Sequence, residues 1–377
     1  CQRAHRPAAG SDAWGPRAAP VDRAPSWALS QWPLTTMFNV DANTTVCSPA
    51  PKLAVSSLAW SPDGHFLLCG SWDGSAYLYE VSRDPFNNLA AEFKAEFPPD
   101  TERDALLTVG FSKGGRHVFV AGCSGVLREY DVTSPSTPVT VGQHPQPIRS
   151  AHLLTVTGCI ATASWDRTLR TWDSRAPRTP AFTETLADKV YAMDVRDECM
   201  VVALANRDVH FYNAWGAQPF HLASRQSPLR HQTRCVSIFT DKSGFALGSV
   251  EGRCGIQYFE ESGSSRSFSF KCHRNNAAGR VVVDAVNDVA WNARGTFATC
   301  GSDGGIAFWD KDSKQRLKVL PKVGMPVTVC AFRPVDDVLA YAVGSDWSRG
   351  PPTGPDTNGT VLLYNTPSNE VMPRLRR

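Results

Sequence analysis

The sequence predicts an all-β fold, a single closed ring of seven four-stranded blades, on three grounds: a unit that recurs seven times, the turn chemistry inside it, and a composition suited to many short strands. Each unit reads as an apolar strand, a turn built on Asp, Asn or Gly, and a strand ending in an aromatic residue. The terminal aromatics are Tyr79, Tyr130, Trp172, Tyr212, Tyr258, Trp309 and Tyr364, at intervals of roughly 40 to 55 residues. Turns precede them at Asp73-Gly74, Ser124-Gly125, Asp166-Arg167, Arg207-Asp208, Glu251-Gly252, Asp303-Gly304 and Asn358-Gly359. A period of about 40 to 45 residues with four strands per unit is that of a propeller blade, and loop insertions absorb the longer intervals.

Along the chain, residues 1–35 are rich in Ala, Pro and Arg without periodicity and are expected to form a flexible leader, with 36–377 as one propeller domain. Blade one starts with strands at 56–60, 66–70 and 76–79, and Pro62-Asp63-Gly64 turns between the first two. Its fourth strand falls at 91–97, and the matching strand of blade five at 267–271. Blade seven supplies strands near 327–332, 338–343 and 360–364, after which little chain remains. An unpaired outer edge would invite aggregation, so residues 43–47, ahead of blade one, are expected to close the ring as the outer strand of blade seven.

Composition narrows the function classes. The 42% apolar content with 27 Pro and 28 Gly suits short strands joined by turns, and no apolar run approaches the roughly 18 residues of a membrane span. No membrane segment is expected. Eleven cysteines are scattered without a CxxC pair and often take small apolar positions (Cys69, Cys159, Cys300, Cys330), so reduced thiols are expected rather than a disulfide scaffold. The net charge of +3 is too small for whole-molecule attraction to nucleic acid, and such a role would need a local patch. Nothing in the chain calls for a cofactor or a small-molecule substrate.

Strand direction assigns residues to faces. In an antiparallel blade with strands a to d from the axis outward, a and c begin on the face where b and d end, so the d-to-a and b-to-c loops share it. We call this the upper face. In blade three, His144, Thr162, Asp166 and Trp172 offer two readings. As a hydrolytic group, His would take a proton from the hydroxyl while the acid orients the imidazole. The spacing favours a buried relay instead, with His just before strand a, Thr in b, Asp in the b-to-c turn and Trp ending c. That arrangement resembles the tetrad of WD repeats, which holds a blade rigid.

In blade five, Arg234 begins strand a, Arg253 begins strand c, and Lys271 with Arg274 closes strand d, which gathers four cations on the upper face. Cys235, Cys254 and Cys272 with His273 raise a zinc site as an alternative, although zinc ligands usually come as closely spaced pairs from loops. Trp72 and Trp165 each precede the Asp of a b-to-c turn, and a turn has no folding need for indole. Exposed Trp beside Arg is the composition of a protein-binding hot spot, with packing against a neighbouring loop as the plainer reading. A second basic run, Lys311, Lys314, Arg316 and Lys318, falls after Trp309 on the lower face, where it could attract phosphate or an acidic partner, or be a solvated loop.

Three segments of blade five carry a family resemblance: 227–235 (Ser-Pro-Leu-Arg-His-Gln-Thr-Arg-Cys), 244–253 (Gly-Phe-Ala-Leu-Gly-Ser-Val-Glu-Gly-Arg) and 270–274 (Phe-Lys-Cys-His-Arg). With Gly301-Ser302-Asp303-Gly304, the run 308–312 and Ser345-Asp346-Trp347-Ser348-Arg349-Gly350, they resemble the Rae/Gle family of messenger-RNA export factors. The sister family of Bub-type spindle-checkpoint propellers shares the Thr-Arg-Cys, Glu-Gly-Arg and Cys-His-Arg pieces, and Ser71-Trp72-Asp73-Gly74-Ser75 leans toward it. The resemblance implies a non-enzymatic scaffold that binds a short GLEBS segment, carried by a repeat nucleoporin in one family and by checkpoint kinases in the other. It implies that Trp72, Trp165, Arg234, Arg253 and Arg274, with Lys271 beside them, engage that segment, the arginines pairing its acids. Expected locations are the nucleus and the pore, with cytoplasm and spindle as further sites, and single-stranded RNA is a further expected partner of the complex.

Overall fold

The seven sequence units become seven antiparallel four-stranded sheets set as a ring in this computed structural model, which describes residues 40–99, 104–112, 114–260, 265–277, 279–350 and 358–374. The leader expected at 1–35 lies outside the described residues. Blade one has strands Val55–Trp60, Phe66–Ser71, Ala76–Arg83 and Leu89–Phe97. The second strand of each blade is sandwiched between neighbouring blades, so it is almost continuously buried: Ile160–Ser164 and Gly244–Ser249 have no exposed position. Outer strands such as Leu89–Phe97 alternate instead, because one side faces water.

Closure takes the expected form. Thr44–Val46 pairs antiparallel with Thr360–Asn365, in the register Thr44↔Tyr364, Thr45↔Leu363 and Val46↔Leu362, and completes the blade formed by Val327–Phe332 and Val338–Val343. The described blades contain one addition that the periodicity did not show. A two-stranded hairpin, Arg274–Ala277 with Arg280–Val283, stands between blades five and six.

Each inner strand carries a register shift at the same point, between Val55/Ser57, Leu106/Thr108, Ile148/Ser150, Val190/Ala192, Thr233/Cys235, Val286/Asp288 and Val327/Val329. A bulge leaves one residue out of the ladder and re-aims its side chain. The skipped residues, Ser56, Leu107, Arg149, Tyr191, Arg234, Asn287 and Thr328, all line the axial channel. Side chains from one blade satisfy backbone groups of the next. Ser57 Oγ accepts from the Val109 N–H (3.2 Å), Thr108 Oγ1 from Ala151 (3.1 Å), Asp194 from Ile238 (2.7 Å) and Asp288 from Cys330 (3.1 Å).

The four blade-three groups form one buried chain of hydrogen bonds. His144 Nδ1 meets Asp166 Oδ2 at 2.8 Å, its Nε2 meets Thr162 Oγ1 at 2.7 Å, and the Trp172 indole donates to Thr162 Oγ1 at 2.8 Å. Every group is satisfied when the imidazole is neutral with its proton on Nδ1, donating to the carboxylate and accepting from the hydroxyl. Thr162 is fully buried, so its hydroxyl meets no substrate and the hydrolytic reading has no accessible nucleophile. Gly142 is required beside it, because a Cβ there would lie 2.4 Å from the Trp172 ring. An equivalent chain joins His273, Asp303, Thr299 and Trp309 at 2.7, 3.0 and 3.0 Å. Sequence spacing missed it because the hairpin separates His273 from its blade-six strand, Val286–Trp291.

Replacing Thr162 by Val removes the shared hydroxyl and leaves buried donors and acceptors unmatched, so urea unfolding should show a loss of about 1–3 kcal/mol. A wild-type midpoint would contradict the relay. Burial pushes the His144 imidazole below its ordinary value against the opposing pull of Asp166. The unfolded imidazole therefore takes its proton first, and this histidine contributes stability that is present above pH about 6.5 and lost as pH falls through its folded value. Asp288 works in the opposite sense, since burial lifts its carboxyl to about 6 and its contribution fades as pH rises toward that value. A site-resolved NMR titration should accordingly place the His144 midpoint below the ordinary imidazole value of about 6.5, and a midpoint at or above that value would overturn this assignment.

Candidate functional site

The upper mouth of the axial channel brings together residues from blades one, three, five and seven. Trp72, Trp165 and Arg234 line the channel, about 830 Å³ in volume, together with Trp347 of blade seven and Arg149 of blade three. Trp72 sits in a turn built by its neighbours: Asp73 accepts from the Lys52 N–H (3.1 Å), the Ser75 N–H (2.7 Å) and the Tyr77 hydroxyl (2.8 Å), while the Trp72 N–H donates to the Ala54 carbonyl (3.0 Å). This leaves the indole half-buried against Trp347, with ring centroids 5.4 Å apart. Trp347 is 46% exposed and has φ +63°, a left-handed backbone that a bulky residue adopts only when its surroundings impose it. Across the mouth, the Trp165 backbone N–H reaches the Pro147 carbonyl, but its buried indole N–H finds no acceptor.

One polar network orients these groups. The Arg234 guanidinium donates to Asn287 Oδ1 (2.9 Å), and the Asn287 amide donates to Asp346 Oδ2 (3.0 Å), which also accepts from the Ser302 hydroxyl. Burial alone would raise the Asp346 carboxyl, but Ser302, Ser348 and Asn287 hold it below its ordinary value. A carboxylate next to Trp347 thus fixes both the aromatic loop and, through Asn287, the arginine. Arg149 donates to the Arg234 carbonyl (3.3 Å), and burial together with the Arg234 charge pushes its guanidinium down. Two guanidinium groups at one mouth favour an incoming anion.

The remaining cations lie further out on the same face. Arg253 begins its strand opposite Lys271 and approaches Glu251 Oε2 at 3.6 Å, as does His231. Arg274 donates to the Glu251 carbonyl at 2.7 Å. It does not close strand d, as the sequence reading had it: the strand ends at Lys271, His273 turns away at φ +47°, and Arg274 opens the hairpin. One carboxylate therefore faces Arg253 and His231, and Lys271 is exposed without an acidic partner among the described residues.

Other candidates separate from this face. Cys235, Cys254 and Cys272 are buried in an aromatic cluster with Phe239, Tyr258 and Trp291, and burial pushes the Cys272 thiol up to about 12. Their neighbour His273 is held by Asp303 and Thr299, and no group of three or more His, Cys, Asp or Glu among the described residues could hold a metal ion. The lower-face run does not form one patch. Lys311 is buried, paired with Asp241 (3.3 Å) and Asp312 (3.0 Å), and lies over the Phe239 ring. Lys318 binds Glu370 of the helix Ser368–Val371 at 2.5 Å, which leaves Lys314 and Arg316 exposed. Sequence reasoning missed Arg149 and Trp347 as parts of the mouth. Only the run 345–350 signalled Trp347, and nothing short of the bulged register signalled Arg149.

Comparison with known proteins fits this architecture. The WD domain, G-beta repeat family matches residues 44–80, 140–173 and 267–310. Each match runs from the outer strand of one blade through three strands of the next, and two of the three contain the hydrogen-bonded tetrads. The chain is 36% identical over 335 residues to the poly(A)+ RNA export protein of Schizosaccharomyces pombe, covering 87% of this chain and 92% of that one. It is 36% identical to the mRNA export factor GLE2 of Chaetomium thermophilum (90% and 95% covered) and 36% identical to protein Rae1 of Drosophila melanogaster (88% and 95% covered). With whole-length relatives at this identity and a ring of seven WD-type blades, the chain belongs to the Rae/Gle family of messenger-RNA export factors.

Proposed function

We propose that this chain is a non-enzymatic docking platform in nuclear export of messenger RNA, and that its upper face binds the GLEBS segment of a repeat nucleoporin at the nuclear pore. The names of its whole-length relatives support the export role. One observation carries the site: Trp72, Trp165, Arg234, Arg253, Lys271 and Arg274, drawn from blades one, three and five and the adjoining hairpin, share one face with spare donors and exposed aromatic surface. A disordered acidic segment would order across it, its carboxylates gripped by guanidinium forks and its apolar side chains covered by indole. The protein would work in the nucleus at the envelope, with cytoplasm and spindle as further locations. A checkpoint adaptor would use the same face for a kinase-borne segment, and the identity of the partner recovered from cells separates the two.

Single-stranded RNA is the proposed partner of the nucleoporin complex rather than of this chain alone, because two of the four lower-face cations are already neutralised within the fold.

Arg253→Glu should weaken binding of a GLEBS peptide in calorimetry by at least about thirtyfold, since reversing one partner of a desolvated charge pair costs several kcal/mol. The melting curve should stay unchanged, because the side chain is not part of the core, and an unaltered affinity would remove Arg253 from the site. The isolated chain should bind an RNA oligonucleotide only at low salt, and affinity that persists undiminished at physiological salt would overturn the division of labour between chain and complex.

A further inference from the structure

We propose that the hairpin between blades five and six is a pairing edge, and that its free side takes an extended, acidic stretch of the docked segment as a third strand; this rests on the reading of the upper face given above. Ala277 pairs with Arg280, and in a hairpin closed at that spacing the closing pair is the one that exchanges hydrogen bonds. Bonded and unbonded pairs then alternate. Asn275↔Val282 is bonded, whereas in Asn276↔Val281 and Arg274↔Val283 the valine N–H and C=O groups point away from the partner strand. The Asp284 N–H bonds to the His273 carbonyl at 3.0 Å, where the same alternation requires it.

Among the described residues no strand pairs with this edge. Val281, Val282 and Val283 are 61%, 45% and 40% exposed, in a strand without proline or acid. The outer strands of blades one, two and three are guarded: Leu89–Phe97 carries Glu92, Lys94 and Glu96, Ser134–Gln143 carries Pro135 and Pro138, and Pro180–Thr185 carries Pro180 and Glu184. A pair of strands alone is marginal in water, and a third strand would bury the valines and satisfy their outward groups. Charge selects the occupant. The hairpin strands carry Arg274 and Arg280 and no acid, and Arg274 anchors the base to the Glu251 turn, beside Arg253 and Lys271. An acidic segment gripped at Arg253 is therefore led onto this edge.

The test uses the full chain and a synthetic GLEBS peptide. Hydrogen exchange should show new protection of the Val281 and Val283 amides on peptide addition, and the double variant Val281→Pro/Val283→Pro, which removes only outward N–H groups, should bind about tenfold more weakly. A peptide that binds the wild type without protecting these amides, or binds the proline variant equally well, overturns the hairpin inference and leaves the docking reading standing. A peptide that does not bind the wild type overturns both. Protection that appears without peptide as protein concentration rises assigns the edge to a second copy of the chain and overturns the inference. If the proline variant does not fold, exchange on the wild type decides alone.

Discussion

A ring of seven sheets has one seam, and the upper face exists only while that seam is shut. The ends of the fold meet in blade seven, where Thr44–Val46 supplies the strand that the C-terminal repeat lacks. Joining residues so far apart in sequence costs chain entropy, which the closing ladder and the bonds beneath it must outweigh. Those bonds are specific: Thr328 to the Val55 carbonyl at 2.7 Å, the Trp60 indole to Ala331 at 3.1 Å, and Arg333 to Gly64 at 2.6 Å. Trp72 of blade one and Trp347 of blade seven touch across the same seam. The aromatic half of the upper face is thus a product of closure.

The cationic half depends on the bulge shared by all seven inner strands. In a regular ladder Arg234 would alternate with Thr233 and Cys235; the bulge drops it from the ladder and aims it into the mouth, where Asn287 and Asp346 hold it. The relays in blades three and six stiffen the turns on that face by tying each turn aspartate to a strand threonine through an imidazole. Rigid turns lower the ordering cost of this face, so in the proposed docking most of the entropy loss would fall on the partner.

Charge position matters here more than charge count. With 39 basic and 36 acidic side chains the molecule is close to neutral. On the lower face Lys311 and Lys318 are absorbed into contacts that hold the fold together. On the upper face Glu251 offers its carboxylate to Arg253 and its backbone carbonyl to Arg274, Lys271 has no acidic partner among the described residues, and donors remain for an anion. Two runs that look alike in sequence therefore differ in what they can offer.

The sequence by itself determined the ring, the blade-one and blade-seven strands, the closing segment and the blade-three tetrad, because each rests on short-range periodicity or on fixed spacing within one repeat. It also placed the tryptophans and arginines on a common face, since strand direction alone decides which loops share a side. The tertiary structure decided what spacing cannot encode. The hairpin insertion hid the second tetrad and moved Arg274 out of its blade. The bulges turned Arg149 into a mouth residue, and the folding of the 345–350 loop over blade one made Trp347 the partner of Trp72. These depend on contacts between blades, where residues far apart in sequence meet and no local pattern records the encounter.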